Sequence, residues 1–204
     1  MLTTLRDVLR SRIALSLAGL ASLLSALAGG AYALSADVQG SSDHPLVPRV
    51  PFALIAHYKG TETGKYDVIL GPLPSESATA ADVEEKQALS GKVTRIQYSV
   101  VSQQSASDIF YQYDYRLSQS NFETLAKTKG PLPLEPGGAT WLAKVYASLE
   151  KEALDGLVTS VVPSQRRYYA GRLARPDGDL YLVMVYNQHT ADDVRVQLDV
   201  IEVQ

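Results

Sequence analysis

Between Arg95 and Val100 the chain alternates. Ile96, Tyr98 and Val100 fall on one side of an extended backbone, and Arg95, Gln97 and Ser99 on the other. The rhythm returns near the C terminus, where Val194, Val196, Leu198 and Val200 alternate with Arg195, Gln197 and Asp199. A period of two is that of a strand with one face buried and the other wet or covered by polar contacts. Ile201 and Val203 break the parity of the second segment, which predicts a bulge or a change of neighbour there.

The same pattern, more weakly, predicts a strand over Phe52–Tyr58. Phe52, Leu54, Ala56 and Tyr58 share one face; Ala53, Ile55 and His57 share the other. Gly60 to Gly64 then reads as a turn and Tyr66–Leu70 as the next strand. Pro72–Ala81 is a loop, and Ala81–Gly91 either a short helical turn or a charged edge. Leu180–Tyr186 is apolar on both faces and is therefore placed at the centre of a sheet. Pro176-Asp177-Gly178 supplies a preset φ, a local hydrogen bonder and a residue free to take positive φ, a hairpin turn between Arg167–Ala174 and that central strand.

Helical spacing occurs twice. Ser105 with Asp108 three residues on predicts a capping box, followed by Ile109, Tyr113 and Leu117 on one face with Phe110 beside them. Asn121 ends this helix in the left-handed conformation, and Phe122–Ala126 returns as a strand. Gly130–Gly138 is too rich in Pro and Gly for regular structure. Thr140 is positioned to cap a second helix striped by Leu142, Val145 and Leu149, with Gly156 just past its end. The class is α+β: a mainly antiparallel sheet with two helices packed on one face.

The N terminus changes what counts as the folded protein. Arg6, Arg10 and Arg12 precede an uncharged run from Ile13 to Ala28, and Ala31-Tyr32-Ala33 follows with small residues at the positions a signal peptidase reads. The run, about 16 residues or roughly 24 Å as a helix, is shorter than the ~20 residues a bilayer span needs. The expected organisation is a signal peptide over 1–33, an extended leader over 34–51 and a single α+β domain over 52–204, with cleavage after Ala33 or Ala36. Losing three Arg and one Asp takes the net charge from −3 to −5. No basic stripe remains, so nucleic acid is not an expected partner. The chain has no cysteine, hence neither a lipid anchor nor disulfides, and an exported domain must rely on its core.

Candidate chemistry is sparse. Asp43 and His44 are adjacent and Arg49 is close by, a set that serves either acid–base work or a turn before a proline-stiffened approach to the first strand. The second reading is preferred, because no G-x-S-x-G elbow or cysteine supplies a nucleophile. The three histidines, His44, His57 and His189, lack metal-ligand spacing, so neither metal nor cofactor is expected. Tyrosine is abundant. Tyr111 and Tyr115 lie opposite most of the apolar stripe of the first helix, and Tyr168 and Tyr169 on the two sides of one strand. They form a binding surface if exposed and padding if not.

The segments "DVQGSSDHPLVPRVPFALIAHYK", "GKVTRIQYSV", "LSQSNFETL", "ARPDGDLYLVMVY" and "VQLDVIEV" resemble an envelope domain of unknown function from Gram-negative bacteria. That domain occurs alone after a signal peptide or in front of an OmpA-like peptidoglycan-binding domain. The resemblance runs from about Asp37 to Val203. A cysteine pair that many relatives carry after the strand corresponding to Phe122–Ala126 is missing here. So are the residues of an OmpA-like part, and peptidoglycan binding is not carried over. The resemblance implies a periplasmic location, free or resting on the outer membrane, with an envelope protein or glycan as partner. Together these features predict a non-catalytic binding or scaffolding module. The alternatives are an enzyme centred on Asp43 and His44, and a small-ligand carrier with a pocket of about 300 Å³ or more between sheet and helices.

Overall fold

The computed structural model describes residues 36–128 and 132–203; the segment read as a signal peptide lies outside them. Six strands make one sheet: β1 (Ala53–Ile69), β2 (Lys86–Val101), β3 (Glu123–Thr128), β4 (Arg167–Leu173), β5 (Leu180–Gln188) and β6 (Asp193–Glu202). Their spatial order is β1-β2-β6-β5-β4-β3, and every neighbouring pair is antiparallel. Among the described residues there are three α-helices, α1 (Ala106–Gln119), α2 (Ala139–Val145) and α3 (Lys151–Val158), and two short 3-10 turns. Among the described residues no helix is long and apolar enough to cross a membrane.

β5 shows why both faces of the sheet are covered. Leu180, Leu182, Met184 and Tyr186 join one buried cluster with Ile109, Phe110, Tyr113 and Leu117 of α1. Tyr181, Val183 and Val185 join a second cluster with Trp141, Leu142 and Leu157 of α2 and α3. The expectation of two helices on one face is thus corrected in number and placement. An interior strand apolar on both sides must be shielded on both sides. The leader contributes as well: Val47 and Val50 are buried in the α1-side cluster.

Three local expectations change for identifiable reasons. Gly60–Gly64 makes no turn; β1 runs through it, absorbing irregularities between Ile55 and His57 and between Lys59 and Glu62. The first of these flips the faces. Ile55 pairs with Tyr98, yet His57 pairs with Gln97, so Ala56 is the extra residue and His57 lies on the face opposite Ile55. Phe52 stands outside the strand, at φ 61° and 82% exposed. Gly91, opposite Gly64 inside the hairpin, is needed for close approach: a Cβ there would lie 2.1 Å from the carbonyl oxygen of Glu202.

The second predicted helix is two. α2 follows Gly138, and Tyr146 caps it; α3 begins after Glu150 and contains Gly156. A Cβ at Gly156 would come within 3.1 Å of Gln97 Oε1 and 3.3 Å of Arg195 Cγ, so glycine lets α3 lie directly on the sheet. The parity break at Ile201 is no bulge. β6 keeps one register from Val194 to Glu202 against β2, and Ile201 is the apolar end of the α2–α3 face.

The first helix matches its signature. Ser105 Oγ accepts the Asp108 N–H, and the Ser105 N–H reaches Asp108 Oδ2 at 3.0 Å. Asn121 takes φ 60° just beyond the helix.

Candidate functional site

The leader's charged residues form a clasp. Arg49 donates to both oxygens of Asp37, at 2.8 and 2.6 Å, and through Nε to both oxygens of Asp43 at 2.9 Å. Asp37 Oδ1 also accepts the Ile55 N–H, and Asp43 Oδ1 accepts from the Tyr98 hydroxyl at 2.9 Å. Bidentate pairing of this kind fixes geometry as well as charge. The Arg49 guanidinium holds the Asp37 carboxyl below its usual range.

His44 turns elsewhere. It is 8% exposed; Nδ1 accepts from the Leu46 N–H, which assigns the proton to Nε2, 3.5 Å from Glu202 Oε1. Burial lowers its pKa, opposed by Glu202. Asp43 and His44, adjacent in sequence, are therefore committed to different partners, and the two side chains do not form a hydrogen-bonded pair. The loop is a fastener between leader and sheet.

The tyrosines divide. Tyr168 is buried on the α2–α3 side, donating to the Ile69 carbonyl at 2.6 Å and packing edge-on to Trp141. Tyr169 is buried on the α1 side. Neither belongs to a binding surface, because β4 is interior to the sheet and covered on both faces. Tyr111 and Tyr115 on α1 are 53% and 67% exposed. Arg166, at the strand start, is buried; it donates to Asn187 Oδ1 at 2.9 Å and to the Val158 carbonyl, tying the end of α3 to β5.

The polar rows of the two alternating strands meet. In the β2–β6 register Arg95 lies opposite Asp199, Gln97 opposite Gln197, and Ser99 opposite Arg195. These side chains form a ladder on the α2–α3 face. Gln97 donates to Gln197 Oε1 at 3.2 Å and to the Ala153 carbonyl of α3 at 2.9 Å. Gln197 donates to Asp199 Oδ1 at 2.7 Å, and the Tyr66 hydroxyl to Asp199 Oδ2 at 2.6 Å. Asp199 is wholly buried, and burial raises its pKa against the pull of Arg95 and these hydrogen bonds. Burial, with the adjacent Asp199 charge, likewise drives the Tyr66 hydroxyl far above its ordinary pKa.

Arg95 is the least satisfied member. Its guanidinium lies over the Tyr66 ring, 5.7 Å from the centroid, and Nε stands 3.7 Å from Asp199 Oδ2. That nitrogen is buried without a hydrogen-bond partner, and among the described residues none of its N–H groups is hydrogen-bonded. Beside it opens a cleft of about 470 Å³, with His57 and Gln97 on the sheet side and Leu149, Glu150 and Ala153 on the other. Tyr66, Tyr146 and Asp199 line a smaller hollow of about 150 Å³ that Arg95 shares.

None of the candidate residues named from sequence lies in this cleft. The signal for it was the repeated Arg-x-Gln in "RIQYS" and "RVQLD", which was legible as a polar face but not as two rows facing each other. Among the described residues no cluster of three His, Asp or Glu is placed to hold a metal. The arrangement provides a shielded polar floor, one cationic fork and apolar walls. No protein-family model matches this chain, and a search of curated proteins returns no match.

Proposed function

We propose that this chain is an exported envelope protein whose folded part is a non-catalytic binding module, with the cleft over the Arg95–Asp199 ladder as its ligand site. The observation that carries the reading is the cleft of about 470 Å³ beside a guanidinium that is ion-paired to Asp199 at 3.7 Å but makes no hydrogen bond among the described residues. Its volume lies in the range of small-molecule sites. A polar group so placed is costly to leave unpaired unless a ligand or solvent completes it. Export rests on the charged, apolar and small-residue parts of the leader and on the resemblance to a periplasmic envelope domain. On that reading the ligand is a free periplasmic solute or a part of an envelope protein or glycan. The acid–base alternative at Asp43 and His44 is not carried further, since each side chain is engaged elsewhere.

Two measurements test the proposal. Fractionation of cells expressing the full chain should recover a shortened protein in the periplasm, beginning at Leu34 or Asp37; an intact chain in the cytosol would overturn the location. Amide spectra of the recovered protein, titrated with periplasmic extract, should move at His57, Gln97 and Ala153. Ser148→Trp, at an exposed position on the cleft wall, should abolish those movements without lowering the melting temperature. Movements confined to the outer face of α1, around Tyr111 and Tyr115, would transfer the binding role to that face.

A further inference from the structure

We infer that the ligand of this cleft is a small monocarboxylate with an apolar body, its carboxylate received by the guanidinium of Arg95. This rests on the reading of the cleft as a binding site and adds the chemistry of what it binds.

A guanidinium presents its N–H groups in a plane that matches the two oxygens of a carboxylate. In Arg95 that plane is preset by the Tyr66 ring beneath it and by Asp199 on the Nε side at 3.7 Å. Asp199 is itself taken up by Tyr66 and Gln197, which among the described residues leaves the fork without a hydrogen-bonded acceptor. Part of its side chain is open, at 28% exposure, and it lines the cleft.

The charge balance selects a monoanion. Lys59, the other cation at the cleft, is paired with Glu62 at 3.0 Å. Burial, then the nearby Arg195 charge, lowers the pKa of His57, so the imidazole is not a standing cation. Glu150 is an anion on the rim and repels a second negative charge. One open fork, its charge partly offset by Asp199 at 3.7 Å on the Nε side, and one rim carboxylate leave room for at most one negative charge and disfavour a phosphate dianion. The remaining surface fits the body of such a molecule: Val38, Leu149 and Ala153 give apolar wall, whose burial favours a short hydrocarbon chain or ring.

The test uses the full chain as recovered from the expressing cell, with backbone amide spectra as readout. The probes are butanoate and hexanoate, the matched neutral amides, butylamine and butyl phosphate. Expected are saturable movements at His57, Gln97 and Ala153 with the carboxylates, tighter for hexanoate. Arg95→Gln should weaken carboxylate binding by about tenfold or more, the scale of a hydrogen bond to a charged group, and leave amide binding unchanged. Arg95→Lys should recover only part of the loss, since it restores charge without the fork. If Arg95→Gln does not fold with Asp199 left facing it, the Arg95→Gln, Asp199→Asn double variant removes both charges and is read instead. Equal carboxylate affinity in wild type and variant, or butyl phosphate bound more tightly than the carboxylates, overturns the inference while the binding site stands. Absence of cleft movements with every probe overturns the inference and the binding reading together.

Discussion

Two side chains translate directly into pH behaviour. Asp199 is buried with its pKa raised above an ordinary value of 3.8. The folded state therefore holds that proton more tightly than the unfolded one, and stability falls as pH rises from about 3.8 through the raised value. Asp199→Asn removes this penalty. Its stability relative to wild type, measured by urea unfolding, should be lowest near pH 4 and rise toward pH 7; a flat difference would show that the carboxyl is ionised throughout. His44 has the opposite sign. Its pKa is lowered from 6.5 by burial, so its neutral form stabilises the fold at neutral pH. That contribution is lost as pH falls from 6.5 toward the lowered value. His44→Gln should flatten the stability profile between pH 7 and 5. Part of the slope should remain, because His57 is lowered in the same direction. An unchanged slope would locate the titration elsewhere.

Elements here are joined by side chains that sequence periodicity does not rank. The leader is held to β1 and β2 by Arg49, through Asp37, Asp43 and the Ala53 carbonyl, and to α1 by the Tyr113 hydroxyl on the Pro48 carbonyl. Arg49 is about 29% exposed, so solvent screens the pair and reduces its contribution. Arg49→Ala should cost about 1–2 kcal/mol. Amide exchange should accelerate over Val38–Val50 and stay unchanged in β5. Acceleration spread evenly over the sheet would mean the leader is no separate fastening. α1 is similarly tied at its start, where Gln188 Oε1 of β5 accepts the Ala106 N–H at 2.9 Å. Asn187 beside it donates to the Gly156 and Thr159 carbonyls, so adjacent residues of one strand hold helices on opposite faces. Capping chemistry was readable at α1 because Ser105 and Asp108 are local. The split between α2 and α3 was not, because it depends on how closely Gly156 lets the chain approach Gln97 and Arg195.

At the level of the molecule, one sheet serves two cores, so damage to its centre removes both. Leu182 and Val183 are neighbours on β5 that face opposite clusters. Either one changed to Asp should leave the chain unfolded at 25 °C by far-ultraviolet circular dichroism, because a buried unpaired charge costs more than a domain's usual margin leaves. A folded Val183→Asp protein would show that the α2–α3 side is dispensable. The α+β class, the central β5, the capped α1 and the hairpin turn at Pro176–Gly178 were all readable in advance. Each rests on residues close along the chain, where spacing, propensity and turn chemistry are enforced by local sterics and hydrogen bonds. The faces of β1 were not readable, since one extra residue at Ala56 inverts the side chains up to Lys59 and a second irregularity before Glu62 restores them. Nor was the site: Asp43 and His44 look like a pair in one dimension and separate in three. Arg95 and Asp199, 104 positions apart, become neighbours when β2 and β6 align. Strand order and register are set by which apolar faces can be buried together, a property of the whole fold, and that long-range choice turns two ordinary polar rows into one cleft.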